Sequence, residues 1–250
     1  MASENEIDMP FSDVPSDEND LWFWKSRFLE FRILILGRAN AGKTTILERL
    51  AGASINEAKV KRGGELLADH AIEGQSNRGM HNIDDEIRFQ SLPGFVFHDS
   101  CGFEAGSLEE LSTVQQFLEH HSAEVDSLRK QLHAIWMCLP LDDSRELLET
   151  EKGFLASLKG NAPLVVIFTK LDGAIGKATR SILDKLSLTG STVGRTVKKD
   201  VRAKAGIQVG QHVKQYEEEL QQLSRSNSCI VFFTTTSMAV GLSEPSLELI

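Results

Sequence analysis

The sequence predicts an α/β fold of three layers, with a mostly parallel sheet between helices. Three observations predict it. Short apolar runs rich in β-formers alternate with stretches of helical periodicity, a pattern that implies crossover connections and helices on both sheet faces. The apolar runs lack polar alternation, as expected of strands buried on both sides. Three of them end in polar motifs, and in such sheets ligands bind at the carboxyl ends of the strands.

The elements follow in order. Residues 1–30 form an acidic segment with Pro10 and Pro15, expected to be a flexible tail, interrupted by the aromatic stretch Leu21-Trp22-Phe23-Trp24. That stretch reads either as a segment packed on the domain surface or as a partner-binding motif. The domain proper spans residues 31–250. Phe31 to Leu36 predicts a buried strand, and Lys43 to about Leu50 a helix that stops near Gly52. Residues 53–84 are polar with little periodicity and predict a long functional loop. Glu86–Ser91 and Phe95–His98 predict two strands around the turn signal Leu92-Pro93-Gly94. Apolar residues at spacings of three and four predict a long amphipathic helix over 107–131. Further strands are expected at Ala134–Leu139, Leu164–Phe168 and Ile230–Thr234, and helices at Arg145–Leu158, 175–187 and 197–223.

Composition excludes several classes. The net charge of -9 gives no broad positive field for nucleic acid or anionic lipid. No apolar run is long enough to span a membrane. The first residues are acidic, unlike a secretory or mitochondrial signal. Cys101, Cys138 and Cys229 lack metal-ligand spacing and read as reduced thiols, so a cytoplasmic location is expected.

The chemistry is carried by three motifs. Gly37-Arg38-Ala39-Asn40-Ala41-Gly42-Lys43-Thr44 follows a strand and opens a helix. Glycines let backbone wrap closely around a phosphate, and N–H groups at a helix N-terminus attract it. Lys43 is expected to reach the β- and γ-phosphates, with the Thr44 hydroxyl on Mg2+ and Thr45 beside it. Asp99-Ser100-Cys101-Gly102 ends the strand at Phe95–His98. Asp99 suits the Mg2+ shell, and the Gly102 N–H suits the γ-phosphate. Thr169-Lys170-Leu171-Asp172 follows the strand Leu164–Phe168. A carboxylate at Asp172 accepts two hydrogen bonds from guanine, and adenine offers no such donor pair. The Lys170 stem can lie along the base. Within the long loop, Ser76 is the candidate for a second hydroxyl on Mg2+, and Arg78 and His81 are candidates to approach the phosphates. The pair His120-His121 is expected to be exposed on its helix, with no metal role.

With these motifs in this order, residues 31 to about 240 resemble the Ras-like, translation-factor-related P-loop GTPases. The stretches Arg38–Leu47, Gly94–Ser100 with Gly102–Gly106, and His133–Trp136 with Asp142–Arg145 look most like the 50S-ribosome-binding-GTPase-like G domains common in basidiomycete fungi. The resemblance implies GTP or GDP and Mg2+ as ligands, an unidentified protein effector, and a Ras-like G domain. Asn40 matches the asparagine of potassium-stimulated relatives, which implies K+ near the phosphates; such relatives often dimerise across the nucleotide face.

The departures are informative. Thr169 stands where most of the family has Asn, and its hydroxyl is expected to tie this loop to the phosphate loop. Ser237, in Thr236-Ser237-Met238, is a loose match to the second base-contacting segment, and the family's closing helix has little chain left to form it. Phe103 follows Gly102 where many small GTPases carry the Gln that orients water. Two readings follow: a Mg2+-dependent GTPase switch using Lys43, Asn40 and Gly102, or a guanine-nucleotide-binding interaction module that scarcely hydrolyses. A P-loop kinase would leave Thr169–Asp172 unexplained.

Overall fold

The computed structural model describes residues 30–67, 82–100, 108–121, 130–143, 146–158, 162–186, 194–223 and 230–235. Its strands are β1 (Phe31–Gly37), β2 (Lys59–Arg62), β3 (Glu65–Leu66), β4 (Glu86–Arg88), β5 (Phe95–Asp99), β6 (Ala134–Pro140), β7 (Leu164–Thr169) and β8 (Ile230–Thr234). The helices are α1 (Lys43–Ala51), α2 (Leu108–His120), α3 (Glu149–Ser157), α4 (Leu171–Lys185) and α5 (Arg195–Leu223). The strands form one eight-stranded sheet in the order β3-β2-β4-β5-β1-β6-β7-β8. From β5 to β8 all neighbours are parallel, while β4, β2 and β3 add an antiparallel edge. The α/β class is therefore the predicted one.

The two faces are packed differently. Successive residues of a strand point to opposite faces, and β1 divides its side chains accordingly. Leu34 and Leu36 join Ile135, Met137, Leu164 and Phe168 in a core that also takes residues of α2, α3, α4 and α5. Ile33 and Ile35 join Phe97, Cys138 and Ile167 beneath α1. Burial pushes the Cys138 thiol up to about 12, so it packs as an inert apolar group.

Five expectations about elements need correction. The predicted loop 53–84 contains a 3-10 turn at Ile55–Glu57 and the strands β2 and β3, which extend the sheet. A bidentate pair from Arg62 to Asp85, at 2.5 and 2.9 Å, holds that edge. The strand expected to run to Ser91 stops at Arg88, because Phe89 and Leu92 close a turn by Leu92 N–H to Phe89 O at 3.2 Å. The helix expected over 107–131 ends at His120; Leu132 N–H then bonds His121 O at 2.9 Å, so the chain doubles back there. The helix expected from Arg145 begins at Glu149, and that expected from 175 begins at Leu171. Leu21–Trp24 and Cys229 lie outside the described residues.

Between the start of β1 and the later part of β5, charge is buried in a network. Arg32 donates to His98 Nε2 at 2.7 Å and to Glu86 at 2.9 Å, joining β1, β5 and β4. Arginine can only donate, so Nε2 accepts and Nδ1–H donates to Ile83 O at 2.8 Å. His121, expected to be exposed, instead packs its ring 4.3 Å from Phe117 and 5.7 Å from His98, while His120 is exposed.

Burial, and then the Arg32 charge, lower the pKa of His98 to about 3; Glu86 and the backbone bond to Ile83 oppose this only in part. The unfolded value is about 6.5. Between these values the unfolded chain binds more protons. The stabilisation is therefore complete above pH 6.5 and is lost as pH falls towards 3. Replacing His98 by Gln should flatten the fall in urea-unfolding free energy between pH 6.5 and 4, whereas an unchanged slope would remove His98 as its source.

Candidate functional site

The register brings the predicted motifs to one edge. Ile35 pairs with Asp99, Gly37 with Cys138, and Pro140 with Thr169. The carboxyl ends of β5, β1, β6 and β7 thus lie side by side. The chain leaves β1 towards β5 and leaves β6 towards β7, so the order reverses at β1 and β6. Such a reversal opens the crevice in which ligands of doubly wound sheets sit.

The loop after β1 is built by backbone constraints. Gly37 has φ +145°, and a Cβ there would lie 2.4 Å from Cys138 O, so only glycine fits. Asn40 turns the chain at φ 60° and Gly42 at φ 89°, both in the region disfavoured for most side chains. Ala41 N–H closes the turn on Arg38 O at 3.1 Å. Lys43 is buried, and its Nζ donates to Gly37 O at 3.1 Å and Arg38 O at 3.4 Å. The loop therefore wraps around its own lysine. Gly42 occupies the N-cap of α1 and supplies no side-chain cap, so the first N–H groups of the helix meet this loop without one. Thr44 and Thr45 are exposed at the first turn, as is Asn40 on the loop, while Ala39 is partly exposed and Ala41 buried.

Beside this loop, Asp99 and Ser100 are both buried. Ser100 N–H bonds Ile35 O at 3.1 Å, extending β5 by one residue. The Ser100 Oγ has no hydrogen-bond partner among the described residues. Buried hydroxyls are normally satisfied, so a polar group is expected against it. Gly102, Phe103, Ser76, Arg78, His81 and Ser237 lie outside the described residues.

The third motif is joined to the first directly. The Thr169 hydroxyl donates to Ala41 O at 2.8 Å in the interior, the tie expected of a threonine at this position. Lys170 adopts φ 59° and pairs with Asp142 at 3.5 Å, which holds its stem across the end of β6. Asp172 lies in the first turn of α4, so a helix and not a mobile loop orients it. Leu171 N–H bonds Thr235 O at 3.2 Å, placing the end of β8 beside the motif.

The Arg38 side chain is buried, pairing both Nε and Nη2 with the Glu151 carboxylate at 2.8 Å. Nη2 also donates to Glu146 O at 2.7 Å, and Asp143 lies 3.5 Å from Nη1. Glu151 is fully buried and accepts Leu148 N–H at 2.8 Å, which fixes the start of α3. Burial opposes the Arg38 charge, but hydrogen bonding and attraction from Glu151 raise its pKa above the ordinary value. Only the Arg38 backbone remains for a ligand. Glu151 was missed by sequence reasoning, since a carboxylate in an amphipathic helix carries no local sign of burial. Asp142 entered only through the family resemblance. Its contact with Gly173, where a Cβ would come within 3.3 Å, packs α4 against β6.

Neither a scan against protein-family models nor a search of curated proteins returns a match.

Removing one member of a buried ion pair strands the other charge and costs about 3–5 kcal/mol. Glu151→Ala should therefore lower the urea-unfolding free energy by about that amount. Glu149→Ala, on an 89% exposed side chain of the same helix, should change it by less than about 0.5 kcal/mol. Similar effects from the two would contradict the role assigned to the Arg38–Glu151 pair.

Proposed function

We propose that this chain is a P-loop, Ras-like G domain that binds guanine nucleotide with Mg2+ and hydrolyses GTP as a molecular switch. The observation that carries the reading is the Thr169–Ala41 hydrogen bond, which joins a phosphate-type loop to a guanine-type motif 128 residues away. The donor set supports it. Lys43 holds its ammonium on loop carbonyls, a contact that a phosphate would replace with a stronger charge-assisted one.

The residues present fit the proposed ligands. Thr44 and Asp99 would hold Mg2+, with Ser76 as the further candidate. Among the described residues no group of three or more His, Cys, Asp or Glu side chains is placed to hold a metal alone. Mg2+ bound through substrate phosphates needs only one or two protein ligands. When bound, it neutralises charge that builds on the phosphates. The chain's own contribution is positional. Lys43 and the loop N–H groups would hold the β- and γ-phosphates, with the Gly102 N–H as the candidate for the γ-phosphate. Asp172 and Lys170 would take the base, with Ser237 as a further candidate.

Asn40 has two reasons to be where it is. Asparagine tolerates the left-handed backbone observed there, and its exposed amide suits a K+ ion beside the phosphates. Asn40→Gly separates them, because glycine keeps the backbone and removes the amide. GTP turnover is expected to rise in K+ over Na+ in the parent chain and to become cation-indifferent in Asn40→Gly. Equal rates for the parent in both salts would remove the cation role. Phe103 favours the second reading, a binding module with little hydrolysis; phosphate release absent over hours, in either salt, would select it.

Base choice has its own test. In competition against a fluorescent guanine nucleotide, GTP and GDP should displace the probe far better than ATP. Asp172→Asn should shift preference towards xanthine nucleotides. Tight ATP binding by the parent chain would overturn the guanine assignment.

A further inference from the structure

The two sheet faces are unequally covered. Residues of four helices, α2 to α5, enter the core on one face. On the other, α1 is the only α-helix among the described residues, and its cluster reaches from β5 to the buried Cys138 and Ile167 of β6 and β7. The register extends that second face across β6, β7 and β8 through Trp136, Val165 and Val231, then Cys138, Ile167 and Phe233. Trp136 and Val165 stand on interior strands yet are only partly buried. Val231 is exposed and Phe233 half-buried. Leu50 continues the α1 stripe of Ile46 and Leu47 and is 47% exposed. At the start of the strands, the Phe31 and Phe95 rings meet at a tilt with centroids 5.6 Å apart, and each residue is 37% exposed. Interior strands of a parallel sheet are normally covered on both faces.

We propose that the aromatic segment Leu21–Leu29 of this same chain docks on this face, covering Phe31, Trp136, Val165 and Val231. Its chemistry matches the surface: Leu21, Trp22, Phe23, Trp24, Phe28 and Leu29 provide six large apolar side chains in nine residues. Its attachment puts it in place. Glu30 is pinned at the head of β1 by ion pairs with Arg32 at 3.2 Å and Arg88 at 2.8 Å, and Phe31 already lies on the face. Trp24 is seven residues from Phe31, a reach of up to about 24 Å at ~3.4 Å per residue. β8 lies three inter-strand spacings from β1, about 14 Å at ~4.8 Å each, so the segment can cross from β1 to β8. The other end of the chain is a poorer match. Residues 236–250 contain no aromatic side chain, and Gly241 and Pro245 interrupt any helix there. This assignment stands independently of any nucleotide.

The chain has three tryptophans, so the test reads them separately. In full-length Trp136→Phe, emission reports Trp22 and Trp24. It should be blue-shifted and quenched by acrylamide several-fold less than a free indole. In a chain lacking residues 1–29, Trp136 emission should shift to the red, and binding of an apolar dye should rise. Val231→Lys with Phe233→Lys should restore quenching of Trp22 and Trp24, whereas Ile207→Lys, at a 64% exposed site on α5, should not. Free-indole quenching of Trp22 and Trp24, or Trp136 emission unmoved by the deletion, would overturn the proposal. Protection that appears only with concentration-dependent dimerisation in sedimentation would assign the face to a second copy and would also overturn it.

Discussion

A lysine held inside a backbone loop is the constraint on which the carboxyl edge of this sheet depends. Lys43 is buried, and its ammonium must be met by oxygen atoms. The carbonyls of Gly37 and Arg38 meet it only because the loop closes tightly around it. That closure requires left-handed backbone at Asn40 and Gly42, and it requires that Gly37 have no side chain against Cys138. The neighbours then serve the loop. Thr169 bonds its Ala41 carbonyl, and Glu151 anchors it through the Arg38 guanidinium. The loop is thus held from β7 and α3 as well as from its own strand.

A second polar cluster, where the start of β1 meets β4 and the later part of β5, is built on a different principle. There Arg32, Glu86 and His98 satisfy one another in the interior. At the carboxyl edge, by contrast, the start of α1 has no side-chain cap, and the buried Ser100 hydroxyl has no hydrogen-bond partner among the described residues. The strands from β5 to β8 in the sheet order run parallel, so their carboxyl ends share one edge.

Much of this was legible in the sequence. Strands such as the buried Leu164–Thr169 and the partly exposed Ile230–Thr234 announce themselves as apolar runs, and Gly37-x-x-x-x-Gly42-Lys43-Thr44 states its turn chemistry residue by residue. Local pattern failed where tertiary contacts decide. β2 and β3 are polar edge strands, Lys59–Arg62 and Glu65–Leu66, whose charges face out and imitate a loop. Their pairing depends on β4 and on the Arg62–Asp85 bridge, which no short-range period records. The sequence places Arg38 in the phosphate-type loop but gives no sign of where its side chain goes. Its partner lies 113 residues away on a helix whose carboxylates look alike, and only the fold distinguishes buried Glu151 from exposed Glu149.

The central proposal is that the loop around Lys43 receives the phosphates of a guanine nucleotide. Calorimetric titration of GDP with Mg2+ into the parent chain and into Lys43→Ala tests it most directly. The account predicts saturable one-to-one binding to the parent. It predicts roughly 10- to 100-fold weaker binding to the variant, the ~1.5–3 kcal/mol typical of a hydrogen bond to a charged group. No heat of binding to the parent, or equal affinity in the two proteins, would contradict it.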